Sequence, residues 1–127
     1  MRILPVVVSA AICGVSAAWA QDALNAPGAI MRGLDAITGK VDQFEISVGE
    51  THEFGRLSIL LSQCRYLPDN PATNSYAYVR IQDKNSTEVV FDAWMIASAP
   101  ALSAMDHARY DVWLIRCRTD EVSSNGG

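Results

Sequence analysis

An all-β domain, a small antiparallel β-sandwich or barrel of roughly five to six strands with a short helical turn and one disulfide, is predicted by three observations. Several runs alternate apolar and polar residues with a period of two, the pattern of half-buried strands. Turn signals rich in Gly, Asn, Asp and Pro recur every eight to twelve residues or so. Two cysteines, Cys64 and Cys117, remain once an export leader is set aside.

Residues 1–20 read as that leader. Arg2 stands beside the amino terminus, an apolar run follows, and Ala18, Trp19 and Ala20 make a small-x-small cleavage site. The run falls short of the roughly 20 apolar residues that span a bilayer, so cleavage and export are expected rather than membrane insertion. Cys13 leaves with the leader, and Ile12 before it does not fit a lipidation site. In an oxidising compartment the remaining pair, Cys64 and Cys117, is expected to form a disulfide. Neither belongs to a C-x-x-C pair, which argues against a thioredoxin-like redox role.

Residues 21–28 show no periodicity and read as a flexible arm, and 29–118 as the folded domain. Ile30, Leu34 and Ile37 fall at i, i+4 and i+7, which predicts a short amphipathic helix or a turn, ended by Thr38, Gly39 and Lys40. Residues 40–48 alternate, with Phe44, Ile46 and Val48 on one side, and predict a half-buried strand. Gly49 and Glu50 make a turn, 51–54 a short extended piece, and Gly55 a second turn. The more apolar strand 57–65 delivers Cys64 near its end. Pro68 and Pro71 keep 66–75 out of any ladder.

Residues 76–82 alternate again, with Ala77, Val79 and Ile81 opposite Tyr76, Tyr78 and Arg80. A polar hairpin at 83–88 leads into a strand at 89–96. Residues 98–105 predict a short helical turn, with Ser98 or Ala99 near its cap, Pro100 in its first turn, and Leu102 and Met105 packing. The closing strand 110–117 places Trp113, Ile115 and Cys117 on one face, so the bridge is expected against a tryptophan. Residues 119–127 read as a disordered tail.

Composition excludes several functions. A net charge of −4 argues against nucleic acid and anionic lipid as partners. Ser98, Asp106, His107 and Asp111 supply the ingredients of a hydrolase, yet no G-x-S-x-G elbow surrounds Ser98, and a capping role for it is the simpler account. His52, Glu53 and His107 lack metal-ligand spacing, so neither a metal nor a cofactor is expected.

Residues 94–102, then Tyr110, Asp111, Val112, Trp113 and Cys117, together with Leu34, Asp35, Thr38, Gly39, 48–51 and Cys64, resemble an exported bacterial family known only as a domain of unknown function. The resemblance spans about residues 33–117. It implies an exported domain with a paired cysteine framework and brings no catalytic residues. A loose association of that family with genes of a proton-pumping NADH dehydrogenase implies an accessory or assembly factor on the periplasmic side of an inner-membrane respiratory complex.

The function expected is therefore a non-enzymatic periplasmic binding or protein-interaction module, its partner an envelope or membrane-complex protein. The candidate binding residues are Trp94, Met95, Pro100, Leu102, Tyr110 and Trp113, an apolar and aromatic patch that the loop 66–75 extends. A small periplasmic hydrolase using Ser98 and His107, and an envelope structural protein without a ligand, are the alternatives.

Overall fold

The computed structural model describes residues 2–6 and 22–119. Within them lie eight strands and one 3-10 turn: β1 (Leu24–Asn25), β2 (Gly28–Asp35), β3 (Val41–Ser47), β4 (Thr51–Phe54), β5 (Leu57–Tyr66), β6 (Ser75–Asp83), β7 (Val89–Ile96), the turn Pro100–Leu102 and β8 (Tyr110–Arg118). A five-stranded sheet runs β1-β5-β6-β7, with β4 also on β5, and a three-stranded sheet runs β3-β2-β8. Every pairing is antiparallel. The inner faces meet in one core that includes Met31, Ile46, Ile59, Leu61, Val79 and Leu114. Among the described residues no helix is long and apolar enough to cross a membrane.

The helix expected over 29–37 is instead β2, the central strand of the smaller sheet, paired with β3 and β8 on its two edges. Its inward positions carry Ala29, Met31 and Gly33, and Ile30 on the opposite face is only 4% exposed, so no apolar-polar alternation marks the strand. Gly33 holds its place because the Phe54 ring fills the space a side chain would take; a Cβ there would lie 2.9 Å from the ring. The arm expected over 21–28 also carries structure. Leu24 and Asn25 pair with Tyr66 and Arg65, and the Ala26 N–H donates to the Cys64 carbonyl at 2.8 Å. Thr119 is buried; the rest of the expected tail, and most of the expected leader, lie outside the described residues.

Two β-bulges aim the cysteines. Along β5 the inward residues are Leu57, Ile59 and Leu61, and strict alternation would send Cys64 outward. Pairing skips Ser62, since Leu61 faces Val79 and Gln63 faces Tyr78. The extra residue reverses the parity, and Cys64 turns inward at 1% exposure. Along β8 the inward residues are Tyr110, Val112 and Leu114, and pairing skips Ile115 between Leu114 and Arg116. Cys117 turns inward at 0% exposure. The Cys64–Cys117 disulfide, with Cα atoms 5.8 Å apart, therefore joins the two sheets across the core. This corrects the expected face: Trp113 and Cys117 point to opposite sides of β8, and the bridge does not lean on a tryptophan.

Ser75, wholly buried, reinforces that junction. Its Oγ donates to the Pro71 carbonyl and accepts the Cys117 N–H at 3.0 Å, which ties the loop 67–74 to the last strand. At the other end of the domain the turn at Gly55 has a positive φ of 56°, and a Cβ there would lie 2.6 Å from the Tyr110 hydroxyl. Only glycine meets both conditions.

Replacing both cysteines by alanine is expected to lower the unfolding free energy by about 2–5 kcal/mol, because the bridge closes a span of 53 residues in the unfolded chain. Urea titration of both forms checks this. In the 83–88 loop, Thr87 is the non-glycine residue with a positive φ, 56°, among the described residues. Thr87→Gly is expected to stabilise the protein by about 0.5–1 kcal/mol, read as a higher urea midpoint at unchanged slope.

Candidate functional site

The chain leaves β7 at Ile96, makes its 3-10 turn, and returns to β8. Two anchors hold this excursion. The Ser103 hydroxyl donates to the Trp94 carbonyl on β7, and Met105 enters the core at 8% exposure. Around these anchors Pro100, Ala101, Leu102 and Ala104 are exposed. No side chain caps the turn, so Ser98 does not serve the capping role expected of it. Leu102 is 79% exposed and does not pack, contrary to expectation. One 3-10 turn is too short to bring both Leu102 and Met105 onto the core.

Between the excursion and β8 lies a groove of about 360 Å³ lined by Pro100, Ala101, Ala104, Asp111, Val112 and Trp113. Its lining is mostly apolar, and Trp113 is half-buried against it. Of the six candidate binding residues, Pro100 and Trp113 come together here and Leu102 stands exposed beside them. Met95 and Tyr110 are 2% and 4% exposed and belong to the core. Trp94 lies on the outer face of the larger sheet, edge-on to Tyr78 with ring centroids 5.4 Å apart. There the Asp92 carboxylate accepts the Tyr78 hydroxyl and, with burial, pushes its pKa up.

A second, polar assembly surrounds Tyr110. The Asp35 carboxylate takes two hydrogen bonds from Arg109, at 3.0 and 2.8 Å, and the N–H groups of Ile37 and Thr38 at 3.0 and 3.3 Å. The Arg109 bonds come first among the causes that hold this carboxyl far below the usual carboxylate range, against the opposing effect of burial. Asp83 meets His107 Nε2 at 3.0 Å and accepts the Asn85 N–H at 2.9 Å, and these bonds lower its pKa too. Arg109 and Arg56 place their guanidinium carbons 5.1 and 5.9 Å from the centre of the Tyr110 ring. The sequence put His107 and Tyr110 forward in other roles and did not single out Asp83, Arg56 or Arg109, because the partners are far apart along the chain, as in Asp35 with Arg109 or Asp83 with His107. The local signal available was an aspartate opening each turn.

This assembly bears on the hydrolase alternative. His107 Nδ1 accepts the N–H groups of Arg109 and Tyr110 at 3.0 and 3.1 Å, which leaves the proton on Nε2, directed at Asp83. Both ring nitrogens are engaged in holding the loop, and among the described residues no hydrogen bond joins His107 to Ser98, Asp106 or Asp111. A general base needs a free nitrogen within reach of the nucleophile, and His107 offers none. His52, weighed as a metal ligand, stacks on Phe44 with centroids 3.9 Å apart. The described residues hold no cluster of three or more His, Cys, Asp or Glu able to bind a metal.

The lowered carboxylates predict an acid limb. Asp35 and Asp83 titrate lower in the folded than in the unfolded chain, so the unfolded chain binds more protons as pH falls. Stability from both is complete above the unfolded carboxylate range, near pH 4, and is lost as pH drops below it toward the folded values. Asp35→Asn is expected to lower the thermal midpoint at neutral pH and to flatten the fall below about pH 4, measured by thermal melts between about pH 2 and 7.

Residues 29–117 match the model of a family described as "Uncharacterized protein conserved in bacteria". A curated relative, "Uncharacterized protein RP359" of Rickettsia prowazekii (strain Madrid E), is 26% identical over 87 residues, covering 66% of this chain and 56% of the relative. The chain thus spans little more than half the length of that relative. No solved structure matches.

Proposed function

The chain belongs to the bacterial family DUF2155, and we propose that it is a non-enzymatic binding module of the periplasm that holds an envelope protein in the groove between the Pro100–Leu102 turn and β8. The observation that carries this reading is the meeting of two distant stretches. Residues 100–104 and 111–113 form one apolar concavity with a tryptophan wall, and Leu102 projects beside it. Apolar side chains left at the surface on a firmly anchored turn are the composition of a contact surface, and a tryptophan in a concavity is the commonest kind of energetic anchor.

Export is supported by the leader-like residues 1–20 and by the buried disulfide, which suits an oxidising compartment. The narrower form of the proposal makes the partner part of an inner-membrane respiratory complex. The exported protein, immobilised and exposed to solubilised envelope, is expected to retain a stoichiometric partner. Trp113→Ala, folded by circular dichroism, is expected to weaken retention by about 2 kcal/mol or more, and Leu102→Glu to weaken it as well. Equal retention by all three forms would sink the groove as the contact surface, and retention by none would sink the binding module itself.

A further inference from the structure

Within the groove one group does not match an apolar occupant. Asp111 is exposed at its lip, and among the described residues its carboxylate has neither an ion pair nor a hydrogen bond. Glu50, Glu88 and Asp106 are likewise exposed without an ion pair among the described residues, and what sets Asp111 apart is its place in the lining of an otherwise apolar groove. Asp111 and Trp113, two residues apart on β8, project to the same outward side, while Tyr110, Val112 and Leu114 point into the core. Arg32 is directly opposite Trp113 in the ladder, but its Nη2 donates to Gln43 Oε1 at 2.7 Å, toward β3 and away from the groove. No cation of the chain's own described residues neutralises this carboxylate.

We infer that the groove takes a lysine or arginine side chain of a partner polypeptide. The aliphatic stem lies along Pro100, Ala101 and Ala104, and the cationic head reaches the Trp113 ring and the Asp111 carboxylate. Three properties select this occupant. An aromatic face beside a carboxylate attracts a cation by two mechanisms at once. The volume, about 360 Å³, is at the small end for ligand pockets and suits one or two side chains rather than a large ligand. The chain's net charge of −4 draws basic partners and repels acidic ones. A purely apolar side chain would strip water from Asp111 without replacing it, and an anion would meet the carboxylate directly.

The inference rests on the groove being the contact surface, and the test separates the two. The probes are a short capped peptide of lysine flanked by leucines and alanines, and a counterpart with norleucine, which keeps the aliphatic stem without the charge. Each is titrated into the ¹⁵N-labelled protein while the amides of Ala101, Ala104 and Trp113 and the Trp113 indole N–H are followed. The lysine peptide is expected to shift these signals and to bind at least about fivefold more tightly than the norleucine peptide. Asp111→Asn, an exposed substitution that leaves the core intact, is expected to abolish that preference, and added salt to reduce it. Equal binding of both peptides, unaffected by Asp111→Asn, would overturn the cationic occupant while leaving an apolar groove. Shifts from neither peptide would overturn both readings.

Discussion

The covalent bond between β5 and β8 organises this domain. A sandwich of short strands, eight among the described residues, has a modest core, and hydrophobic burial leaves a small domain only marginally stable. The Cys64–Cys117 bridge links a strand of the larger sheet to the last strand of the smaller one, at the end where Ser75 already joins the 67–74 loop to the Cys117 backbone. Hydrophobic packing makes the two sheets adhere, and the bridge fixes where they adhere. At the opposite end, the Asp35–Arg109 and Asp83–His107 pairs do similar work with charge, holding the chain on both sides of Tyr110.

Those two restraints position the groove. β8 is fixed at its start by the polar assembly and near its finish by the disulfide, so Asp111 and Trp113 project from a strand held at both ends. The facing wall is a loop rather than a strand, but Ser103 bonds to β7 and Met105 enters the core. A groove built this way would lose little conformational freedom on being occupied.

Much of the fold was legible in the sequence. Phe44 and Ile46 in β3, the alternation of Tyr76 to Ile81 in β6, and the turns at Gly49 and Gly55 all carried period-two or turn signals, and the expected export implied the cysteine pair. The failures have physical causes. In β2 the inward positions hold Ala29, Met31 and Gly33, with Phe54 of the facing sheet supplying the bulk missing at Gly33, so the strand carries no period-two signal and imitates a helix. β1 is two residues long and exists only through its bonds to β5. Bulges leave no mark in composition, so the face of Cys117 was assigned by simple alternation and came out reversed. As for the site, Pro100 and Trp113 could be singled out as surface-seeking residues. Their meeting with Asp111 depends on how the 98–105 excursion folds back, which no local pattern encodes.

The paired bulges have a consequence for how the chain reaches its native state. With a residue skipped at Ser62 and another at Ile115, each cysteine faces inward only in one strand register; a slip by one residue in either strand turns a thiol to solvent. A solvent-facing thiol, or a mixed disulfide formed on it, stays open to exchange with other thiols, whereas a bridge closed in the native register is sealed at 1% and 0% exposure. Oxidation thus proofreads β-sheet alignment: misregistered pairings remain chemically reversible, and the correct one withdraws from the exchange.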